Sequence, residues 1–170
     1  LGQTGAAPWG NWLFKWEVAL SIDEPTNSGQ LDATKPVVEQ SRVSRLTPMF
    51  GLSFNGVSQL TLSAEFQRPY LLTTLKDPLY PMELSIVALR AVGNYMRERL
   101  RLIAVASVFG LSPHLGQFYR AEANYEVRDG FRLGLMYVHY NAQDSETLSP
   151  LSGLERHDQV LANCRWDFQY

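Results

Sequence analysis

The chain is expected to be all-β, an antiparallel up-and-down transmembrane β-barrel of about eight strands, either a complete small barrel or the C-terminal part of a larger one. Three observations predict this. Apolar residues recur on every second position through most of the chain, and only a β-strand has a side-chain period of two. The connections between these runs alternate long and short. Aromatic residues collect beside the short connections.

Composition is compatible with such a chain and excludes several others. At 170 residues it suits a single domain spanning 1–170. The net charge of -2 and the 19% of charged residues do not point to a polyanion partner. Hydrophobic residues reach 45%, yet mean hydropathy is -0.17, and no apolar run approaches the roughly 20 residues of a membrane helix. Transmembrane strands need only about 9–11 residues, half of them polar, so hydropathy averages hide them. The single cysteine, Cys164, excludes an intrachain disulfide and a multi-cysteine metal cluster. Its place in the apolar register marks a small lipid- or core-facing residue rather than a nucleophile. The sequence opens on Leu1 without a charged and then apolar leader, so a processed or partial chain is expected.

Residues 1–10 read as a small-residue, turn-rich lead-in on the periplasmic side. Trp12, Phe14, Trp16, Val18, Leu20 and Ile22 then alternate with Leu13, Lys15, Glu17, Ala19, Ser21 and Asp23, the first strand. A long polar loop is expected over 24–41, where Pro25, Asn27, Gly29 and Pro36 fall. The second strand covers about Arg45 to Phe54, and Asn55-Gly56 is a hairpin-turn signal, because a type I′ turn needs positive φ at both central residues. The third strand is Gln59 to Gln67. A second long loop is expected over 68–81.

Between Met82 and Gly110, Leu89, Val92, Met96, Leu100 and Ile103 have helical spacing. The alternation of Val87, Leu89, Ala91, Gly93 and Tyr95, and of Leu100, Leu102, Ala104, Ala106 and Val108, supports two strands joined near Met96-Arg97 equally well. The β-rich neighbours on both sides favour strands. After a connection at 111–116, Tyr119 to Tyr125 and Phe131 to Tyr137 form a hairpin around Asp129-Gly130. A last long loop, 142–157, leads to a terminal strand in which Val160, Ala162, Cys164, Trp166, Phe168 and Tyr170 alternate with polar residues.

A membrane barrel has long outer loops and short periplasmic turns, with an even strand count placing both chain ends in the periplasm. Trp12, Phe54, Tyr95, Tyr125, Phe131, Trp166, Phe168 and Tyr170 all flank the short turns or the chain ends, where an interfacial aromatic girdle is expected. A soluble sandwich or lipocalin-like barrel predicts neither pattern.

The runs "MELSIVALRAVGNYMRERLRLIAVASVFGL", "YRAEANYEVRDGFRLGLMYVHYNAQ" and "ERHDQVLANCRWDFQY", with the upstream "WLFKWEVAL" and the "GLSFNG" to "LTLSAEFQ" hairpin, resemble the C-terminal strands of a proteobacterial outer-membrane β-barrel family of unassigned function, porin-like in texture. The resemblance implies a bacterial outer-membrane location, further barrel strands or a protein partner, and recognition of the C-terminal aromatic strand by the barrel-assembly machinery. It supplies no substrate.

Function is therefore argued from the polar register. Lys15, Glu17, Glu65, Arg90, Arg99, Arg101, Arg120, Glu122, Arg132, Arg165 and Asp167 are the expected lumen-facing residues. Lining water they would favour anions, since arginines outnumber acids; in a narrow barrel they would pair across a filled interior. Ile86, Ile103, Val105, Phe109, Met136, Val138 and Leu161 share that register and favour a packed interior, a plug contact or a greasy passage. The expected function is a porin-like passive channel, with a filled, non-conducting structural or partner-binding barrel as the alternative.

No enzyme is expected, a lipid-modifying barrel enzyme being the least favoured reading. His114, His139 and His157 have no fixed Ser-His spacing, although His139 has Asn141 and Ser145 nearby and Asp158 follows His157. Phosphate loops and metal-ligand spacings are absent from the sequence, so no cofactor or metal is expected. The arginines fall opposite the aromatics, which argues against nucleic acid.

Overall fold

The computed structural model describes residues 1–30, 37–74, 84–110, 115–141, 151, 154 and 157–167. Its ten strands are β1 (Gly2–Trp9), β2 (Trp12–Gln30), β3 (Val37–Val57), β4 (Leu60–Gln67), β5 (Tyr70–Leu71), β6 (Ile86–Tyr95), β7 (Leu100–Phe109), β8 (Gln117–Arg128), β9 (Phe131–Asn141) and β10 (Gln159–Trp166). All belong to one antiparallel sheet in the order β1-β2-β3-β4-β6-β7-β8-β9-β10, with β5 on β3. The segment with helical spacing is the β6–β7 hairpin. Its strand pattern prevails because each residue pairs in unbroken register, from Ile86 with Phe109 to Tyr95 with Leu100.

One cross-strand row shows what the alternation achieves. Trp9, Trp12, Phe54, Leu62, Ala91, Ala104, Ala121, Tyr137 and Val160 lie side by side across nine strands. Residues opposite one another share a face, so the row is apolar from edge to edge of the sheet. The row one residue above it includes Ser63, Arg90 and Arg120 on the other face. Packing is inverted relative to a soluble protein: Leu89 is 53% exposed on the apolar face, whereas Ser53 is 7% exposed on the polar one. Among the described residues the buried apolar side chains are few, Val43, Pro69, Val138 and Leu151, and no second layer covers the apolar face.

The sheet is also sheared. Measured from that row, Trp12 itself begins β2, Leu62 lies two residues from the start of β4, Ala104 four from the start of β7, and Tyr137 six from the start of β9. The turn ends thus recede by one residue per strand. At about 3.4 Å per residue and about 4.8 Å between strands, a line through the turns makes the strands tilt by roughly 35°, the tilt of barrel staves.

Several expectations change. The stretch 1–10 is not a lead-in: β1 pairs with β2 throughout, and the Leu1 amine donates to the Leu20 carbonyl at 2.9 Å. The chain therefore starts at the end opposite the short turns rather than beside them. The stretch expected to be a loop at 24–41 instead continues the β2–β3 ribbon to Gln30 and Val37. Proline and polar residues read as loop, yet Pro25 pairs with Arg42 just past the bulge, and ladder pairing such as that of Thr26 with Ser41 needs no apolar face; Pro36 lies outside the described residues. A bulge between Ser21 and Glu24, with Asp23 at φ 55, marks where the apolar alternation ends. Above it Arg45 donates to both carboxylate oxygens of Glu24, at 3.0 and 2.8 Å.

The β3–β4 turn falls at Ser58-Gln59 rather than Asn55-Gly56, because a bulge between Phe54 and Val57 carries the strand past the Asn-Gly pair. The terminal strand does not pair with the Trp12–Ile22 segment. Both edges of β2 are taken by β1 and β3, and β10 pairs only with β9, so the sheet of the described residues is open. The Asp129-Gly130 turn stands as expected, with Gly130 at φ 78.

Candidate functional site

The register places nine of the eleven expected lumen residues on the polar face: Lys15, Glu17, Glu65, Arg90, Arg101, Arg120, Glu122, Arg132 and Arg165. Arg99 sits in the β6–β7 turn, and Asp167 just past β10. They form three groups rather than one. Lys15 and Glu65 flank Gly51 in a single row, with Glu17 one turn of the pleat above. Arg90 and Arg120 share the next group with Glu122, which pairs with Arg120 and accepts from Asn124 Nδ2 at 2.7 Å.

The third group surrounds a polar basin of about 760 Å³ beside the short turns, lined by Arg99, Arg101, Arg132 and Arg165 with Glu98 and Glu126. Four arginines against two glutamates leave an excess of two positive charges. Arg132 donates to Glu126 at 3.3 Å and Arg165 to Asp167 at 2.7 Å, whereas Arg99 and Arg101 form no ion pair among the described residues. The basin is built by one row: Asn94, Arg101, Asn124, Gly134 and Asn163 lie abreast on β6 to β10. Gly134 explains how two amides fit there. A methyl group at Gly134 would lie 2.5 Å from Asn163 Oδ1 and 2.6 Å from Asn124 Oδ1. Amide and guanidinium donors lining such a basin are suited to hold an anion.

On the apolar face the expected aromatics lie beside the short turns. Trp12 and Phe54 pack with centroids 4.5 Å apart, Phe131 and Trp166 at 5.7 Å edge-on, and Tyr95 and Tyr125 flank Leu100. Trp9, unforeseen because 1–10 read as a lead-in, extends this belt onto β1. The Arg128 guanidinium covers Trp166 at 4.8 Å. The Tyr95 ring lies over Gly93, where an added methyl would meet Cε2 at 2.4 Å. Phe168 and Tyr170 lie outside the described residues.

Sequence reasoning missed one polar cluster on the apolar face. Asp158, just before β10, faces His139 on β9. Its Oδ1 lies 2.8 Å from His139 Nδ1, and its Oδ2 accepts from the Tyr137 hydroxyl at 2.8 Å. The bonds from Tyr137 and then His139 hold the Asp158 carboxyl below its ordinary range. The imidazole stacks between Tyr119 at 6.1 Å and Tyr137 at 6.4 Å. In the sequence Asp158 reads with His157; the eighteen-residue gap between His139 and Asp158 hides a cross-strand partnership that only the β9–β10 register reveals. A Ser nucleophile beside the pair is absent among the described residues, and Ser145 and His114 lie outside them. No cluster of metal-ligating side chains occurs among the described residues.

No protein-family model matches the chain, and no curated protein matches it significantly.

Proposed function

We propose that the chain forms part of the wall of a bacterial outer-membrane β-barrel, a porin-like passive channel whose polar face lines an arginine-rich lumen. The apolar face that crosses nine strands carries this reading, because a face of that extent is stable only against lipid or a second layer. Its apolar run from Trp12 to Ile22 spans roughly 34 Å along the strand and about 28 Å once tilted, near the ~25 Å apolar band of such barrels. The tilt and the aromatic belt at the turn end support the same placement.

The open edges support a larger barrel. β1 and β10 both run towards the short-turn end, since Trp9 meets Trp12 there and Trp166 meets Phe131. Direct closure would therefore be parallel, and an all-antiparallel wall takes an odd number of further strands between them. This agrees with the resemblance to C-terminal strands, and with recognition of the terminal strand by the barrel-assembly machinery. The basin of four arginines biases the lumen towards anions. Val138, 5% exposed on the polar face, favours a second reading, a partly filled interior that does not conduct. Planar-bilayer recording separates the two: discrete anion-preferring steps support the channel, and silence from correctly inserted protein supports the filled barrel.

A further inference from the structure

We infer that the Tyr137–His139–Asp158 cluster is a lipid site that takes a primary-ammonium headgroup, with the acyl chain in the groove beside it. The inference rests on the membrane reading above. In one row across the apolar face, Ala7, Phe14, Leu52, Ala64, Leu89, Ala106 and Tyr119 lead to His139 and then to the Asp158 position. A carboxylate at the end of such a row needs polar partners. Tyr137 and His139 supply two.

The chemistry of the cluster selects the head. The Asp158 carboxylate, held between the Tyr137 hydroxyl and His139 Nδ1, presents a negative charge and acceptor lone pairs on the apolar face. Arginine or lysine does not pair with Asp158 among the described residues. A primary ammonium offers three donors and the matching charge. A quaternary ammonium has the charge but no donors, and a phosphate-only head is repelled.

The groove supplies the other half. A cleft of about 600 Å³ on this face is lined by Ala91, Ala104, Ala106 and Ala121 and ends at Tyr119 and Tyr137, the two tyrosines that flank His139. Headgroup cluster and apolar cleft thus share residues, as one amphiphile requires.

The test uses the full chain in polyoxyethylene detergent, titrated with phosphatidylethanolamine or phosphatidylcholine of identical acyl chains and read by native mass spectrometry. One ethanolamine lipid should bind at about tenfold lower concentration than the choline lipid, the worth of a charge-assisted hydrogen bond. Asp158→Asn should bring the two lipids to parity, and Ala104→Phe, which fills the cleft and leaves the cluster intact, should weaken both. Equal binding by the native chain, or an unchanged preference in Asp158→Asn, overturns the site. Protease-protected insertion into vesicles is measured on the same preparations. An inserted chain without lipid preference sinks the site and leaves the barrel standing, whereas a chain that never inserts overturns both.

Discussion

Leu135 and Val138 lie three residues apart on β9 and face opposite sides of the sheet, and their exposures invert the order water would impose: Leu135 is 55% exposed on the apolar face, Val138 5% on the polar one. An isolated exposed leucine means little. Here the exposed leucine belongs to a face on which Trp12, Leu62, Leu89, Leu133 and Tyr137 are exposed too, an extent of apolar surface that water does not favour.

The cost of a charge should therefore depend on face. Leu89 and Ala88 are neighbours on β6, Leu89 paired with Ala64 and Ala106, Ala88 with Glu65 and Ser107. Leu89→Arg should reduce the stability of the inserted protein by about 2–4 kcal/mol, while Ala88→Arg, facing Glu65, should cost about 0–1 kcal/mol. Urea unfolding from lipid vesicles measures both.

Depth should follow distance from the turns. Trp12 begins β2 and Trp16 lies four residues further along it. In variants retaining one of these tryptophans, depth-dependent quenching by brominated lipids should place Trp16 about 11 Å deeper than Trp12, four residues of a tilted strand.

The β6–β7 turn stores strain. Met96, Arg97 and Glu98 take φ of 54, 57 and 70 without being glycine. Left-handed backbone costs a non-glycine residue about 1–2 kcal/mol, so Arg97→Gly should stabilise by about 1 kcal/mol once the extra unfolded-state entropy of glycine is deducted. A higher urea midpoint with unchanged slope is the expected result.

Selectivity should reside in the basin. Arg101 and Arg132 line it together, and replacing both by glutamate reverses its excess charge. If the barrel conducts, Arg101→Glu with Arg132→Glu should move the reversal potential in a salt gradient from the anion towards the cation side, most clearly at low ionic strength.

Much of the fold was legible because the side-chain period of two assigns faces without knowledge of partners. Trp12, Leu62, Ala104 and Tyr137 fall on one face in the sequence and share one row in the sheet. Boundaries were less legible. Gly2 to Trp9 has no apolar alternation, and its pairing depends on the β2 edge beside it. The polar Glu24–Gln30 stretch is a strand through ladder bonds to β3 that no local pattern announces. The arginines were visible as a polar register, but their division into three groups depends on register between strands. His139 and Asp158 are far apart in sequence and became partners only through pairing of β9 with β10.

The most direct test of the membrane-wall reading is a nitroxide scan along β7, from Leu100 to Phe109, in the vesicle-inserted chain with Cys164 replaced by serine. Collision rates with oxygen, which concentrates in lipid, should alternate with a period of two and peak at Leu102, Ala104, Ala106 and Val108. Maxima at Arg101, Ile103, Val105 and Ser107 instead, or no alternation at all, would contradict it.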